Sequence, residues 1–349
     1  MIAGKKPKAL IAMSGGVDST VAALLTMRMG YECAGVTMEL FADAEEQARG
    51  AADRLGIPHQ AVDFRGEFRE LVIEPFVSSY GAGETPNPCA DCNTYIKFGL
   101  LYEYARSAGF DKLVTGHYAN IGQGPDGLYR LARAADAEKD QTYFLYGLTA
   151  DKLAHTLFPL GGHVKEEVRA IAEEEGFENA ERRESQDICF IPGGDHAGFI
   201  IGYRGNKPAE GDFIDTDGHV LGRHGGIERF TIGQRKGLGM GFGRPLFVKE
   251  IRPDTGEVVL AEEEDIFSSR IEISDVNWHM STTPSRAQVV VRYNANPVWA
   301  TISPAGEGRL IAEFDEPVRA PAKGQAAVIY DGDFVIGGGK ICRVIMKNS

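Results

Sequence analysis

The sequence predicts an α/β fold, in which a parallel sheet with flanking helices is followed by two small β-rich domains. The first half of the 349-residue chain alternates short apolar runs with helical patterns, which is typical of βα units. From about residue 205 the pattern changes to short β-type runs separated by Gly, Asp-Gly and Pro. The length itself favours two or three domains.

In the first half, apolar runs predict strands over residues 8–13, 32–38, 59–63 and 112–115. One apolar helix face follows the first strand, formed by Val17, Val21, Leu24, Leu25 and Met29. Further helices are predicted over residues 45–55, 68–79, 94–108, 142–148 and 165–175, with a turn-rich loop over 81–93. We therefore expect a catalytic domain over residues 1–200.

The second half contains β-type runs over residues 212–215, 258–261, 287–293, 300–303, 310–314 and 326–330. A break near Ser274 separates the first two runs from the others. We therefore expect a central β-rich domain over residues 205–273 and a C-terminal β-barrel domain over residues 274–349.

Composition predicts a soluble globular protein, because 43% of the residues are hydrophobic and 25% are charged. No stretch approaches the roughly 20 apolar residues of a membrane helix, and the first residues lack the apolar core of an export signal. Five cysteines are too few for a disulfide scaffold, so they are expected to be reduced thiols. These features predict a cytoplasmic location and no membrane partner.

The net charge of −13 argues against a protein that binds nucleic acid by bulk electrostatics. Only local basic pairs could contact an RNA, although each is equally consistent with a solvated surface. These pairs are Arg182 with Arg183, Arg235 with Lys236, Arg286 with Arg292, and Arg319 with Lys323.

A Ser-Gly-Gly-Val-Asp-Ser segment, residues 14–19, lies between the first predicted strand and helix. Glycines allow backbone N–H groups to approach an anion, and the helix start adds partial positive charge. The segment therefore predicts a pyrophosphate site, although a glycine turn that merely closes a βα unit remains the alternative. It matches the PP-loop of the ATP pyrophosphatase superfamily, whose members split ATP between the α and β phosphates.

Three cysteines are candidates for chemistry. Cys89 and Cys92 form a Cys-x-x-Cys pair in a loop rich in Pro and Asn, just before a predicted helix whose dipole would lower a thiol pKa. Such a pair alone fits half a zinc site, a redox dithiol or no function, but no second pair accompanies it. Cys189 follows much later, whereas Cys33 and Cys342 lie in apolar runs and are expected in the core.

These segments, in this order, resemble the tRNA 2-thiouridylase family, also called MnmA/TrmU. The resemblance covers nearly the whole chain and includes the PP-loop, Asn-Pro-x-x-x-Cys-Asn from residue 87, Thr-Gly-His-Tyr from 115, Lys-Asp-Gln from 139 and Ser-Gln-Asp-x-Cys-Phe from 185. It implies ATP-dependent conversion of the wobble uridine of tRNA to 2-thiouridine, with a protein that donates persulfide sulfur as a further partner.

The resemblance also implies residue roles. Cys189 would carry the persulfide, and Cys92 would be the nucleophile that forms a disulfide with Cys189. ATP, with Mg²⁺, would contact Ala12, Met13, Ser14, Gly15, Gly16, Val17, Asp18, Ser19, Met38 and Gly116. The tRNA would contact His117, Lys139, Asp140, Gln141, Arg292, Tyr293 and Gln325, with Asn87 and Pro88 beside the target base.

One position departs from the family pattern. Many relatives have Asp where this chain has Cys89. The resemblance implies that this Asp helps to activate the nucleophile, so the route of activation is left open for this chain. Cys89, Cys92 and Cys189 could together ligate an iron-sulfur cluster, but the favoured interpretation is that Cys89 takes part in acid-base or redox chemistry. We assign no metal ligand. Two rival functions are another PP-loop tRNA ligase, which would need no thiols, and a sulfur carrier or RNA-binding module, which would need no ATP loop.

Overall fold

The strands build three sheets in a computed structural model that describes residues 6–41, 45–124, 126–177, 179, 187–280 and 283–345. The strands are β1 (Lys8–Ala12), β2 (Glu32–Glu39), β3 (His59–Asp63), β4 (Lys112–Val114), β5 (Asn120–Gln123), β6 (Tyr129–Ala132), β7 (Thr156–Leu157), β8 (Gly211–Ile214), β9 (Val220–His224), β10 (Phe247–Arg252), β11 (Glu257–Ala261), β12 (Phe267–Trp278), β13 (Arg286–Val290), β14 (Val298–Pro304), β15 (Leu310–Arg319), β16 (Ala326–Asp331) and β17 (Phe334–Ile345).

The first sheet is parallel and has the strand order β3-β2-β1-β4-β7. After β1 the chain builds outward through β2 and β3, and then returns to the other side of β1 to form β4. This reversal opens a crevice at the carboxyl ends of β1 and β4, where open α/β sheets bind their ligands.

Helices cover this sheet. They are α1 (Val17–Arg28), α2 (Glu45–Leu55), α3 (Arg65–Phe68), α4 (Glu74–Gly81), α5 (Pro88–Asp91), α6 (Leu101–Ser107), α7 (Thr142–Leu145), α8 (Ala150–Ala154), α9 (Lys165–Glu174) and α10 (His196–Arg204). Two π-helical segments, Arg69–Ile73 and Cys92–Leu100, continue α3 into α4 and α5 into α6. Residues 88–107 therefore form one continuous helix, called the thiol helix below.

Alternation along β1 explains how the sheet is buried on both faces. Leu10 joins an apolar cluster with the thiol helix residues Ile96 and Phe98, whereas Ala9 and Ile11 join a second cluster with α1. Because all three β1 residues are fully buried, the strand is a continuous apolar run, as expected for a central parallel strand.

The second half forms two β structures. Strands β10-β11-β8-β9 make a small sheet around Phe213. Strands β12-β15-β14-β13-β16-β17 follow one another around a circle that closes through the pairing of β12 with β17. These six strands are called the terminal barrel below. The expected α/β class with β-rich domains after it is confirmed.

Two features differ from expectation. The hairpin β5–β6, which the sequence did not predict, extends the barrel sheet through β17, with Ala132 paired to Phe334. The break predicted near Ser274 lies inside β12 and does not end this strand. At this point Asp275 adopts a positive φ of 52°, and the pairing register with β17 shifts. A β-bulge thus explains the break. The division of the chain at residues 200, 205, 273 and 274 stays a prediction.

Candidate active site

The phosphate loop, residues 13–16 with the start of α1, is shaped by short-range hydrogen bonds. The Ser14 N–H donates to Ser19 Oγ at 3.2 Å, and Ser19 Oγ donates to the Gly16 carbonyl at 2.9 Å. Gly15 has φ of 76°, and a Cβ on it would lie 2.7 Å from Gln47 Cβ. Gly16 provides no side-chain cap for α1. The first N–H groups of this helix therefore suit an anionic ligand.

Asp18, in the first turn of α1, is held by two side chains from distant segments. Lys165 Nζ lies 2.7 Å from Asp18 Oδ1, and the Tyr118 hydroxyl donates to the same oxygen at 2.9 Å. Sequence reasoning missed both partners. One available signal was the position of Lys165 at the start of α9, where a cation opposes the helix dipole and needs a compensating anion.

Other expected ATP contacts come together at the same edge of the sheet. A Cβ on Gly116, after β4, would lie 2.8 Å from the Asp18 carbonyl carbon and 2.9 Å from the Ser19 nitrogen. Only a glycine therefore lets β4 approach the loop this closely. Met38 lies near the end of β2, beside Thr37, whose hydroxyl donates to the Met13 carbonyl at 2.9 Å. Ala12 and Val17 flank the loop as the last residue of β1 and the first of α1.

The thiol helix begins at Pro88 and not near residue 94, so the sequence interpretation of 81–93 as a loop was too long. Asn87 caps this helix, because its Oδ1 accepts from the Ala90 N–H at 3.2 Å. Cys89 is half-buried, and Cys92 is buried with 7% of its surface exposed. The Pro and Asn residues that suggested an exposed loop instead provide a helix start.

The three candidate thiols influence one another. Burial raises the pKa of Cys92 to about 12 and also raises the pKa of Cys89. Partial desolvation raises the pKa of Cys189, although this residue is exposed at the surface. A charge on Cys189 or Cys89 would raise the pKa of Cys92 further, so the three thiols are near enough to influence one another. The pKa shift of Cys89 and Cys92 is therefore upward, opposite to the lowering expected from a helix start, because burial disfavours the thiolate.

Lys97 opposes this effect. Among the described residues it is the only cation that lowers the pKa of Cys89, Cys92 or Cys189. In an α-helix a residue five positions after Cys92 would point about 140° away, but the π-helical segment brings it back toward the same face. Nothing in the sequence pattern signalled a π-helix, so this lysine was missed.

His117 connects β4 to the thiol helix. Its Nε2 lies 3.4 Å from Lys97 Nζ, and its Nδ1 lies 2.7 Å from Thr115 Oγ1. Burial and the nearby lysine hold the pKa of His117 well below its ordinary value, so the ring is neutral. Because the Lys97 ammonium can only donate, the neutral ring accepts at Nε2 and carries its proton on Nδ1, from which it donates to Thr115 Oγ1. Its contact with tRNA stays a prediction, since both ring nitrogens have protein partners.

The expected tRNA contacts near residue 140 have mainly internal partners. Asp140 is buried and accepts hydrogen bonds from the Ala134 N–H at 2.9 Å and the Thr142 hydroxyl at 2.6 Å. Gln141 Oε1 accepts from the Tyr118 N–H at 2.9 Å. Lys139 is half-buried beside them. Asp140 and Gln141 thus shape the segment that would meet an RNA.

The terminal barrel brings its expected contacts to the same region. Tyr293 is 38% exposed and lies against Phe144, with ring centroids 4.4 Å apart. Arg292 Nη2 donates to the Ile232 carbonyl at 2.6 Å, which joins the barrel to the central domain. Gln325 Oε1 accepts from the Tyr143 hydroxyl at 3.3 Å. A cavity of about 300 Å³ lies between these segments, lined by Asp140, Tyr143 and Tyr293 among others.

One arginine in each of three of the basic pairs proposed from sequence contacts an acidic or aromatic group. Arg286 pairs with Asp315, and Arg319 pairs with Glu263 at 3.1 Å. Arg235 lies over the ring of Phe247. Arg182, Arg183 and the Ser185-Gln186 part of the later cysteine motif lie outside the described residues. These pairs fit the alternative of an ordinary surface at least as well as an RNA contact.

One group of possible metal ligands lies close together in the described part of the chain. There, three or more His, Cys, Asp or Glu ligand atoms lie within 4.8 Å of one another only at Asp215, Asp217 and His219. This group forms an exposed turn in which Asp215 accepts backbone N–H bonds from the other two. No helix in that part of the chain is long and apolar enough to cross a membrane.

The parallel sheet and the phosphate loop at its carboxyl edge define an α/β domain of the PP-loop ATP pyrophosphatase superfamily. Family models match the three parts of the chain: "tRNA methyl transferase HUP domain" over residues 7–193, "tRNA methyl transferase PRC-barrel domain" over 197–262 and "Aminomethyltransferase beta-barrel domain" over 268–341.

Full-length relatives identify the family more closely. The chain is 44% identical to a tRNA-specific 2-thiouridylase MnmA of Clostridium botulinum, over 97% of this chain and 99% of the relative. It is 45% identical to proteins of the same name from Clostridioides difficile and Carboxydothermus hydrogenoformans, over 96% and 97% of this chain and 98% of each relative. The chain therefore belongs to the tRNA-specific 2-thiouridylase MnmA family.

Proposed function

We propose that the protein catalyses ATP-dependent 2-thiolation of the wobble uridine of tRNA, with persulfide sulfur supplied by a donor protein. The observation that carries this proposal is the segment between Thr115 and His117. Gly116 packs against the backbone of Asp18 in the phosphate loop, while the next residue contacts Lys97 on the thiol helix. A base activated at the loop would therefore lie near the thiols.

The phosphate loop would act first. The C2 carbonyl of uracil is a poor electrophile until its oxygen is adenylated, and residues 14–19 would hold the pyrophosphate released from ATP. The glycines and the uncapped N–H groups of α1 suit this ligand. Mg²⁺ would neutralise part of its charge.

The thiols would act second. The outer sulfur of a persulfide on Cys189 attacks C2, and the Cys92 thiolate then attacks the Cys189 sulfur. The bond between the two persulfide sulfurs breaks, its electron pair stays on the sulfur bound to C2, and AMP leaves to give the C2 thiocarbonyl. One disulfide between Cys92 and Cys189 forms per base. An external dithiol must reduce it before the next cycle.

The remaining residues would bind tRNA. We propose that Tyr293, Arg292 and Gln325 on the barrel side and residues 139–141 on the catalytic side form the two walls of the binding site. Asn87 and Pro88, at the start of the thiol helix, would lie beside the target base. Support comes from the cavity that Asp140 and Tyr293 line and from the exposed ring of Tyr293, since exposed aromatic rings stack on RNA bases.

The persulfide route and an iron-sulfur route make different use of Cys89. Three thiols suit the ligation of a cluster, but a Cys-x-x-Cys pair more commonly serves redox chemistry. We favour the persulfide route. Anaerobic purification distinguishes the two: a colourless, iron-free protein at full activity supports persulfide transfer, and activity that follows iron content contradicts it.

The central test is nucleoside mass spectrometry of tRNA from cells that lack this gene. Loss of 2-thiouridine, restored by the wild-type gene and not by Cys92→Ala or Cys189→Ala, supports the proposal. Rescue by both alanine variants would show that the reaction needs neither thiol, and unchanged 2-thiouridine in the cells that lack the gene would instead favour another PP-loop ligase. ATP consumption that does not depend on tRNA would contradict the proposed order of steps, and absence of any ATP consumption would favour a sulfur carrier.

A further inference from the structure

The start of the thiol helix is held by the terminal barrel at its first residues. The Thr85 N–H donates to the Lys323 carbonyl at 2.8 Å, and Gln325 Nε2 donates to the Pro86 carbonyl at 3.4 Å. Gly324, between the two barrel residues, has φ of 86°, and a Cβ on it would lie 3.1 Å from the Thr85 carbonyl oxygen. Backbone of the barrel thus packs directly on the segment that leads to the thiols.

A second contact of the barrel with the thiol helix involves Asp91, which lies between Cys89 and Cys92 in the sequence. Asp91 is buried, and its Oδ1 lies 2.8 Å from Lys340 Nζ of β17. The carboxylate has 10% of its side-chain surface exposed and the lysine 38%, so the pair is shielded from solvent mainly on the side of Asp91. Asp91 directly precedes Cys92, so the position of the carboxylate and that of the nucleophile are linked through one peptide unit.

Lys340 is itself firmly placed. Its backbone pairs with Ala326 of β16 on one side and with Ser274 of β12 on the other, inside the closed barrel. The barrel in turn is anchored to the catalytic domain, because Asn277 Nδ2 donates to the Tyr146 and Leu148 carbonyls at 2.9 and 3.1 Å. A cation on a rigid strand can therefore hold the helix start in one position.

We infer that Lys340 is a positioning residue that holds Cys92 in line with Cys189 through Asp91, so that the terminal barrel is part of the active site. This inference rests on the proposed function. The inference gives the barrel a second role besides the proposed binding of tRNA. The same barrel that carries Tyr293 also contains β17, whose Lys340 would hold Cys92 in position. Reactive groups must be held closely for efficient transfer, and small displacements cost large factors in rate.

The first experiment needs neither tRNA nor ATP. Diamide takes two electrons and two protons from the Cys92 and Cys189 thiols and forms their disulfide, which mass spectrometry of the crosslinked peptides quantifies. We expect Lys340→Met to slow its formation about tenfold, Lys340→Arg to stay within about threefold of wild type, and Lys249→Met to change nothing. Lys249 is a matched control because it also pairs with a carboxylate, Asp265, but in the central domain. A wild-type rate in folded Lys340→Met would overturn the inference.

A double variant separates positioning from stability. Lys340→Met alone leaves a buried carboxylate without its cation, whereas Asp91→Asn with Lys340→Met leaves neither charge, so the melting temperature should recover. The disulfide rate should stay low in the double variant, because the tether is still missing. Recovery of both the melting temperature and the rate would show that the ion pair only stabilises the fold, and would overturn the inference.

Steady-state thiolation of tRNA, with an external dithiol to reduce the disulfide, gives the third readout. We expect Lys340→Met to lower kcat about tenfold and to leave the KM for tRNA and the release of pyrophosphate within about twofold. A rise in KM with unchanged kcat would assign Lys340 to tRNA binding and overturn the inference. If wild-type protein forms the disulfide under the control of Lys340 but thiolates no tRNA, the proposed function fails while this inference is supported.

Discussion

In the phosphate loop, the hydrogen bonds that shape the turn join Ser14, Gly16 and Ser19, which are at most five positions apart. The thiol site instead combines the helix start at Cys89 with β17, whose Lys340 is far away in the sequence. One site is built by local backbone geometry and the other by the packing of two domains. This difference teaches that the two proposed half-reactions would depend on different parts of the fold.

The two sites also differ in how their charges are balanced. Asp18 in the loop has Lys165 and Tyr118 as partners, so this carboxylate is compensated before any ligand binds. In the thiol site, burial raises the pKa of Cys92 to about 12, and Lys97 only partly opposes this. Variants of the loop should therefore impair adenylation, and variants of the thiol site should impair sulfur transfer alone.

The largest expected effect is loss of sulfur transfer in cysteine variants whose adenylation is unchanged. We predict that Cys92→Ser and Cys189→Ser each lower tRNA thiolation at least about 1000-fold, because loss of a nucleophile removes a covalent step. Release of pyrophosphate should stay near the wild-type rate, since the loop is unchanged. Cys189→Ser should hold no persulfide, whereas Cys92→Ser should accept sulfur and fail to release it, as intact-protein mass can show. A persulfide found only on Cys92 would reverse these roles.

Changes in the phosphate loop should instead affect adenylation, the first of the two proposed steps. We predict that Asp18→Ala and Ser19→Ala lower tRNA-dependent pyrophosphate release about 100-fold, because the loop loses groups that orient the phosphates. Asp18→Ala should also lower the free energy of unfolding by about 1–3 kcal/mol, since Lys165 loses a charged acceptor. The exposed Asp217→Ala serves as control. Near wild-type release in folded variants would show that the loop does not bind the phosphates.

A smaller effect is expected where the sheet meets the loop. Gly116→Ala places a Cβ 2.8 Å from the Asp18 backbone, so the loop must shift. We predict that the KM for ATP rises about tenfold and that the free energy of unfolding falls by about 1–3 kcal/mol. Gly162→Ala is the matched control, because a Cβ there meets nothing within 4 Å. An unchanged KM would mean that β4 does not support the loop.

The smallest effect concerns the charge near the thiols. Because the pKa of Cys92 is raised to about 12 by burial, a rise in pH increases its thiolate fraction throughout the neutral range. Alkylation of Cys92 by iodoacetamide should therefore increase about tenfold from pH 8 to pH 9. Lys97→Met removes a cation that lowers this pKa, so it should slow alkylation about threefold at each pH. A plateau below pH 9 would show that the thiol ionises far more readily.

The sequence by itself determined the elements whose signals are local. Strand β3 and helix α2 have the bounds predicted from apolar spacing, and the Ser-Gly-Gly turn lies between β1 and α1 as expected. Cys33 is buried in the core, also as expected. Such features follow from neighbouring residues, because periodicity, glycine freedom and helix starts are properties of a short stretch of chain.

Only the tertiary structure decided the rest. The π-helical turn that brings Lys97 toward Cys92, the pairing of β5–β6 with the barrel, and the contact of Lys340 with Asp91 all depend on packing between distant segments. Burial also reversed the expected pKa shift of the thiols, because desolvation is a property of the folded surroundings and not of the motif. Sequence motifs can thus specify which groups react, while the packing of the barrel on the thiol helix decides where they are held.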